Sequence, residues 1–229
     1  MERDIDLKEI SDGRLYLAND MVRTGCNDCV GCSSCCRGMG TSIILDPYDM
    51  YSLEKGMSAT FEELMGDKIE LNVVDGIIQP NLKMQEEGDC CAFLSEAGRC
   101  TIHGFRPGFC RMFPMGRIYE EDGFRYFLQI HECPYPNKTK VKVKKWLEIP
   151  ELGKYETYVK DWHYFLKAVQ EIIKRTENDA IIKNLNMYLL NHFYVKGYDA
   201  IVESENEGDF YGQFYKRLEE AKEIVGAYR

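Results

Sequence analysis

The chain lacks both long apolar runs and an excess of basic residues. No segment approaches the roughly 18 consecutive apolar residues of a membrane-spanning helix. The first residues, Met1 to Asp6, are charged and lack the apolar stretch of a signal peptide. A net charge of −9 argues against a general binder of nucleic acid or anionic membranes. We therefore expect a cytoplasmic protein without nucleic-acid or membrane partners, and no redox or protein partner is identified.

Motifs of catalysis are equally scarce. The chain has 4 histidines, and no Ser–His–Asp or Cys–His arrangement of the kind that activates a nucleophile. A lone Gly38-Met39-Gly40 is too short to indicate a nucleotide or S-adenosylmethionine site. Whether the chain is an enzyme stays open at this stage.

Cysteine, by contrast, is abundant and clustered. Of 10 cysteines, one group lies between Cys26 and Cys36 and the other between Cys90 and Cys133. Thiols stay reduced in the cytosol, so clustered cysteines there indicate metal binding more than disulfides. Residues Cys29 to Cys36 form a C-x2-C-x2-C-C run, and cysteines two residues apart grip an ion through a turn.

The first group also fits a second register. Counted from Cys26, the spacing to Cys36 is that of bacterial ferredoxins, with Arg37 where proline normally follows. If the backbone is extended there, the adjacent Cys35 and Cys36 point to opposite sides. Eight or more thiolates also exceed the four that one zinc ion or one iron–sulfur cluster takes. The hypothesis is two sites, or one multinuclear site.

The later group contains a segment from Asp89 to Pro114 with cysteines, Arg106-Pro107 and Arg111 at fixed spacings, followed by Cys133-Pro134. Together with the C-x2-C-x2-C-C run, this segment closely resembles the YkgJ-like cysteine-cluster family, a zinc- or iron-chelating domain. The resemblance spans residues 29–134. It implies eight metal ligands: Cys29, Cys32, Cys35, Cys36, Cys91, Cys100, Cys110 and Cys133. Cys26, Cys90 and His103 are further candidate ligands outside that set.

The metal and the function follow less directly. Dispersed single cysteines joined to a compact run favour iron–sulfur clusters over zinc, and with them a redox or electron-transfer role. A zinc-binding structural or regulatory module is the alternative, since full thiolate coordination leaves no open catalytic position. Flagellin lysine N-methylases are similar in this region and give a second alternative. Arg106 and Arg111, and more weakly Arg37, are predicted to support the cysteine sulfurs by hydrogen bonds.

The predicted fold class is α+β. A cysteine-rich metal-binding part with short hairpins (1–137) is followed by a packed helical extension (138–229). Asp46-Pro47 predicts the start of a helix, with Gly56 as its stop. Asp75-Gly76 predicts a hairpin between strands 69–74 and 77–82, and Asp122-Gly123 predicts a second one. The dispersed cysteines are expected on loops. Helical periodicity predicts helices around 155–172, 181–192 and 210–225, the last capped by Asp209. The basic run Lys138 to Lys145 is expected to be a solvated element that joins the two parts.

Overall fold

The computed structural model describes residues 6–29, 32–121, 123–198 and 210–228. Small antiparallel sheets are followed by long helices, so the predicted α+β class is confirmed. The strands are β1 Ser11–Tyr16, β2 Met21–Gly25, β3 Ile69–Val74, β4 Ile77–Leu82, β5 Met84–Gln85, β6 Cys90–Cys91, β7 Met115–Glu120, β8 Gly123–Gln129 and β9 Thr139–Lys142. The helices are α1 Leu7–Ile10, α2 Pro47–Met57, α3 Phe61–Leu64, α4 Gly108–Met112, α5 Val143–Leu147, α6 Leu152–Arg175, α7 Asp179–Leu190 and α8 Phe210–Gly226.

Both predicted hairpins form. β3 and β4 pair from Ile69↔Leu82 to Val74↔Ile77, and the turn residues Asp75 and Gly76 both have positive φ. That conformation matches the right-handed twist of the strands and suits Asp-Gly. β7 and β8 also pair, and β1 adds to the other edge of β8, which gives the order β1-β8-β7. Asp122 of the second predicted turn lies outside the described residues.

Helix α2 begins where the sequence predicts and ends later. The Asp46 carboxylate accepts a hydrogen bond from the Asp49 amide, and Pro47 is the first helical residue. Gly56 was expected to end the helix, but the helix continues to Met57 and Ser58 takes the left-handed conformation. Gly56 has a different role, because a Cβ there would lie 2.5 Å from the Phe105 ring. Glycine at this position therefore allows the segment that follows Cys100 to pack against α2.

The helical part buries the predicted aromatic stripes. On α6, Tyr158 packs edge-on against Phe214 of α8 with ring centroids 4.6 Å apart. Trp162 packs against Phe193, which lies in a π-helical segment, Asn191–Val195, that continues α7. The predicted cap Asp209 lies outside the described residues. These helices share one continuous hydrophobic cluster with the strands.

The segment between the two parts is more structured than expected. Lys138 to Lys145 was predicted to be a solvated connection, but β9 pairs with β2 and α5 follows directly. Val143 and Leu147 of α5 are fully buried. The alternation of lysine and valine already carries the period of two that is typical of a half-buried strand. The boundary between 137 and 138 stays a prediction.

Candidate metal centre

Two tight turns shape the first cysteine group. A 3-10 turn, Asn27–Cys29, follows β2, and Asn27 and Cys29 both have positive φ. The Cys29 amide donates to the Cys26 carbonyl, and the Cys32 amide donates to the Cys29 carbonyl. The sulfurs of Cys26 and Cys29 lie 3.2 Å apart as a result. A second 3-10 turn, Ser34–Cys36, places the sulfurs of Cys35 and Cys36 3.8 Å apart.

The later cysteines were expected on loops, but three of them lie in regular secondary structure. Cys90 and Cys91 form the short strand β6, and Cys110 lies inside helix α4. The prediction is wrong for these three because short pieces of regular structure carry no readable periodicity. Backbone pairing joins the two groups, since Arg37 forms a β-bridge with Cys90 and the Gly38 amide donates to Asp89.

Two adjoining cavities collect the thiols. The first, of about 60 Å³, is lined by seven cysteines: Cys29, Cys32, Cys35, Cys36, Cys91, Cys100 and Cys110. The second, of about 90 Å³, is lined by six: Cys26, Cys29, Cys32, Cys35, Cys110 and Cys133. His103 and Arg106 line both cavities. The fold therefore brings all eight predicted ligands to a shared region, although they come from residues more than 100 positions apart.

The three further candidates fall in different places. Cys26 is buried and lines the second cavity beside Cys29, which agrees with the ferredoxin-like register. Cys90 lines neither cavity, and its thiol donates weakly to Gln85 Oε1 at 3.5 Å. His103 hydrogen-bonds with Arg106.

The thiols approach one another without converging on a point. Among the residues that the structure describes, no group of three or more His, Cys, Asp or Glu side chains is arranged so that it could hold a metal ion. The sulfurs instead lie around the walls of the two cavities. Rotation of the cysteine side chains is still needed to close a coordination shell, so the ligand assignment stays a prediction.

Burial and mutual contact set the acidity of these thiols. Burial, followed by the hydrogen bond with Cys26, raises the pKa of Cys29 to about 12. The hydrogen bond between the Cys35 and Cys36 thiols lowers the pKa of Cys35 to about 7 and raises the pKa of Cys36. This pair therefore releases its first proton readily and holds its second, because two adjacent thiolates repel. A bound cation offsets that repulsion, which suits a soft metal.

The arginines differ in their surroundings. Arg106 lies at both cavities, and its buried Nε has no hydrogen-bond partner. Its positive charge adds to the Cys36 hydrogen bond in lowering the pKa of Cys35, and it opposes the burial that raises the pKa of Cys100. Arg111 instead donates to backbone carbonyls of Gly104, Arg106 and Glu148. Arg37 is exposed and donates to the Ser33 hydroxyl. Arg111 thus holds the chain between Cys100 and Cys110 in shape, while Arg106 faces the thiols.

A buried carboxylate that the sequence did not single out, Asp49, also supports the site. Asp49 Oδ1 accepts a hydrogen bond of 2.7 Å from the Gly108 amide, at the first residue of the helix that carries Cys110. Burial raises the pKa of Asp49 well above its ordinary value. The one local signal was its position three residues after the capping Asp46.

The donor set fits a thiolate-bound inorganic centre. Nine cysteines line the two cavities, which is enough for two four-thiolate sites, and no carboxylate oxygen is required. The family model CxxCxxCC, described as a putative zinc- or iron-chelating domain, matches residues 28–145, just over half of the chain. The chain belongs to this family. The resemblance drawn from the sequence is confirmed, and membership in the CxxCxxCC family supports metal binding in general.

Searches of the curated proteins and of the solved structures found no significant match to this CxxCxxCC protein. Within the described ranges, no helix has the length and apolar character that crossing a membrane requires.

Proposed function

We propose that this CxxCxxCC protein holds two iron–sulfur clusters in its adjoining cavities and serves in electron transfer. One observation carries the proposal: nine cysteines line two cavities that share a wall. One assignment gives each centre four thiolates, with Cys26, Cys29, Cys32 and Cys133 at the second cavity and Cys36, Cys91, Cys100 and Cys110 at the first. Four cysteines line both cavities, Cys29, Cys32, Cys35 and Cys110, and this assignment leaves Cys35 as the shared thiol outside the two sets.

The size of the cavities supports a polyatomic group. A cavity needs about 10–15 Å³ for each water-sized sphere, so volumes near 60 and 90 Å³ hold roughly four to nine of them. A single ion gripped by four thiolates at about 2.3 Å leaves no such space. The room in the two cavities thus favours clusters over one bare ion at each site.

The residues around the thiols suit this role. Iron–sulfur clusters supply one-electron chemistry, whose potential depends on net charge, hydrogen bonds to sulfur and solvent exposure. Arg106 brings a positive charge to both cavities and offsets part of the thiolate charge. The apolar Ile43, Leu82 and Ile102 line the first cavity and limit the access of water to it.

Anaerobic purification tests the proposal. We expect a brown protein with iron and acid-labile sulfide in a ratio near one, at about eight irons per chain if both clusters are of the four-iron type. Paramagnetic resonance of the dithionite-reduced protein should show two interacting centres. A colourless protein with stoichiometric zinc and no sulfide would refute it.

Zinc remains the second candidate, because one distance favours it. Four sulfurs at about 2.3 Å from a zinc ion lie about 3.8 Å from one another in a tetrahedral site. The sulfurs of Cys35 and Cys36 have this separation, 3.8 Å. With zinc, the protein would be a structural or regulatory module, and the same elemental analysis distinguishes the two candidates.

A further inference from the structure

The sheet formed by β2 and β9 has one strongly basic face. Val22 and Thr24 of β2 point inward and are buried, while Met21 and Arg23 point outward. Their partners across the sheet, Lys142 and Lys140, are exposed as well. Exposed Lys144 and Lys145 follow at the start of α5. We call Arg23, Lys140, Lys142, Lys144 and Lys145 the basic face.

Within the ranges that the structure describes, these cations have no internal counter-charge. In the described part of the chain, none of the five has a carboxylate within 4.0 Å, although the whole chain carries a net charge of −9. Arg23 lies directly opposite Lys140 in the antiparallel ladder. Like charges in that position destabilise a sheet. The sheet therefore keeps an unfavourable pair that an external anionic surface would neutralise.

The basic face runs directly into the second cavity. Gly25 ends β2 and is followed by Cys26, which lines that cavity. Lys138, just before β9, donates to the Cys133 carbonyl at 2.8 Å, and Lys145 of the basic face is itself a lining residue. Glu148, the acidic lining residue of this cavity, pairs with Arg106. A partner seated on the basic face would thus lie beside the centre at the second cavity.

We propose that the basic face docks an acidic electron-carrier protein next to the second cavity. The inference rests on the proposed function, and it names the class of partner. Charge complementarity carries it, since a basic strip on an acidic chain steers an acidic surface to one place. The Met21 side chain lies beside these cations and is 47% exposed, so it adds an apolar contact of the kind found within interfaces. One electron passes from the reduced to the oxidised partner, and no bond forms or breaks.

The test uses the purified full chain with its native metal and two probes, an acidic ferredoxin and an acidic flavodoxin. Binding of each is measured by fluorescence titration at about 10 mM and about 500 mM salt, where screening lengths are near 30 Å and below 10 Å. The double variant Lys140→Gln/Lys142→Gln removes two charges from the basic face. Its matched control, Lys183→Gln/Lys216→Gln, removes two charges from exposed helical positions elsewhere.

We expect salt-sensitive binding that weakens about fivefold or more in the first double variant and less than twofold in the control. Absence of binding by both carriers at low salt would overturn the proposal, and so would equal losses in the two variants. A 20-base-pair DNA duplex and vesicles of anionic phospholipid are titrated in parallel. Tighter binding of either through Lys140 and Lys142, or self-association that these lysines control, would also overturn it.

Elemental analysis of the same preparations separates this inference from the proposed function. If the protein contains only zinc and still docks the acidic carriers, the basic face is supported as a docking site and the iron–sulfur clusters are refuted. If the protein is brown but does not dock the carriers, the acidic partner is refuted and the proposed clusters are supported.

Discussion

Replacement of Gly108 by alanine is predicted to disturb the helix that carries Cys110. A Cβ at this position would overlap the hydroxyl of Tyr155, which is buried in the core, and the Tyr155 Cζ atom would lie 3.1 Å away. Insertion of a methyl group into a packed site costs about 1–3 kcal/mol, and here the overlap with a buried ring favours the upper end, about 2–3 kcal/mol. Because α4 must shift, the content of bound metal should fall as well.

The companion variant Tyr155→Phe turns this into a double-mutant cycle. Alone, it removes the hydrogen bond from the charged Arg117 and should cost about 1.5–3 kcal/mol. In Gly108→Ala/Tyr155→Phe the hydroxyl is gone and a tight 3.1 Å contact remains, so most of the overlap is relieved. The double variant should therefore be less destabilised than the sum of the two by about 1–2 kcal/mol.

Urea unfolding under anaerobic conditions, with metal analysis of each variant, measures the cycle. Gly153→Ala is the matched control, since it makes the same change in helix α6 where no atom lies within 4 Å of the new Cβ. It should be neutral or slightly stabilising. Strictly additive effects at Gly108 and Tyr155 would show that contact between them does not position α4.

The remaining predictions concern the adjacent Cys90 and Cys91 and the half-buried Glu54. Cys91→Ser should lower the metal content, and it should lower the unfolding free energy by about 2–4 kcal/mol, roughly one ligand's share of a four-ligand site. The adjacent Cys90→Ser should change the unfolding free energy by less than about 0.5 kcal/mol. Equal losses of metal in the two variants, measured by elemental analysis, would contradict the ligand assignment. Burial raises the pKa of Glu54 from 4.5 to about 7, so the folded chain holds this proton more tightly and the associated stability, complete below pH 4.5, is lost as the pH rises through 7. Relative to the native chain, Glu54→Gln should therefore raise the unfolding midpoint more at pH 8 than at pH 5. Identical pH profiles for the two chains would count against a raised pKa of Glu54.

Local features were the most predictable part of the fold. The β3–β4 hairpin was predicted to the residue, because Asp75-Gly76 sets the turn and the flanking apolar residues set the register. The start of α2 followed from Asp46-Pro47 in the same way. Neither depends on a distant contact.

Long-range contacts account for what the sequence analysis missed. The pairing of β2 with β9 joins segments more than 110 residues apart, and it places Cys26 near Cys133. No periodicity reports such a contact, so Cys26 stayed outside the main ligand set and was visible only through the alternative ferredoxin-like register. Gly56 was misjudged for the same reason, since its neighbour Phe105 is remote in sequence.

The shared second cavity has a consequence for biosynthesis. Its first sulfurs, at Cys26 to Cys32, leave the ribosome about 100 residues before Cys133. At roughly 5–20 residues per second, this corresponds to a delay of about 5–20 s. During that interval the early thiols lack β9 and the Cys133 sulfur that enclose them. The nascent polypeptide is therefore most vulnerable to oxidation, or to capture of a wrong ion, before Cys133 and β9 have been translated.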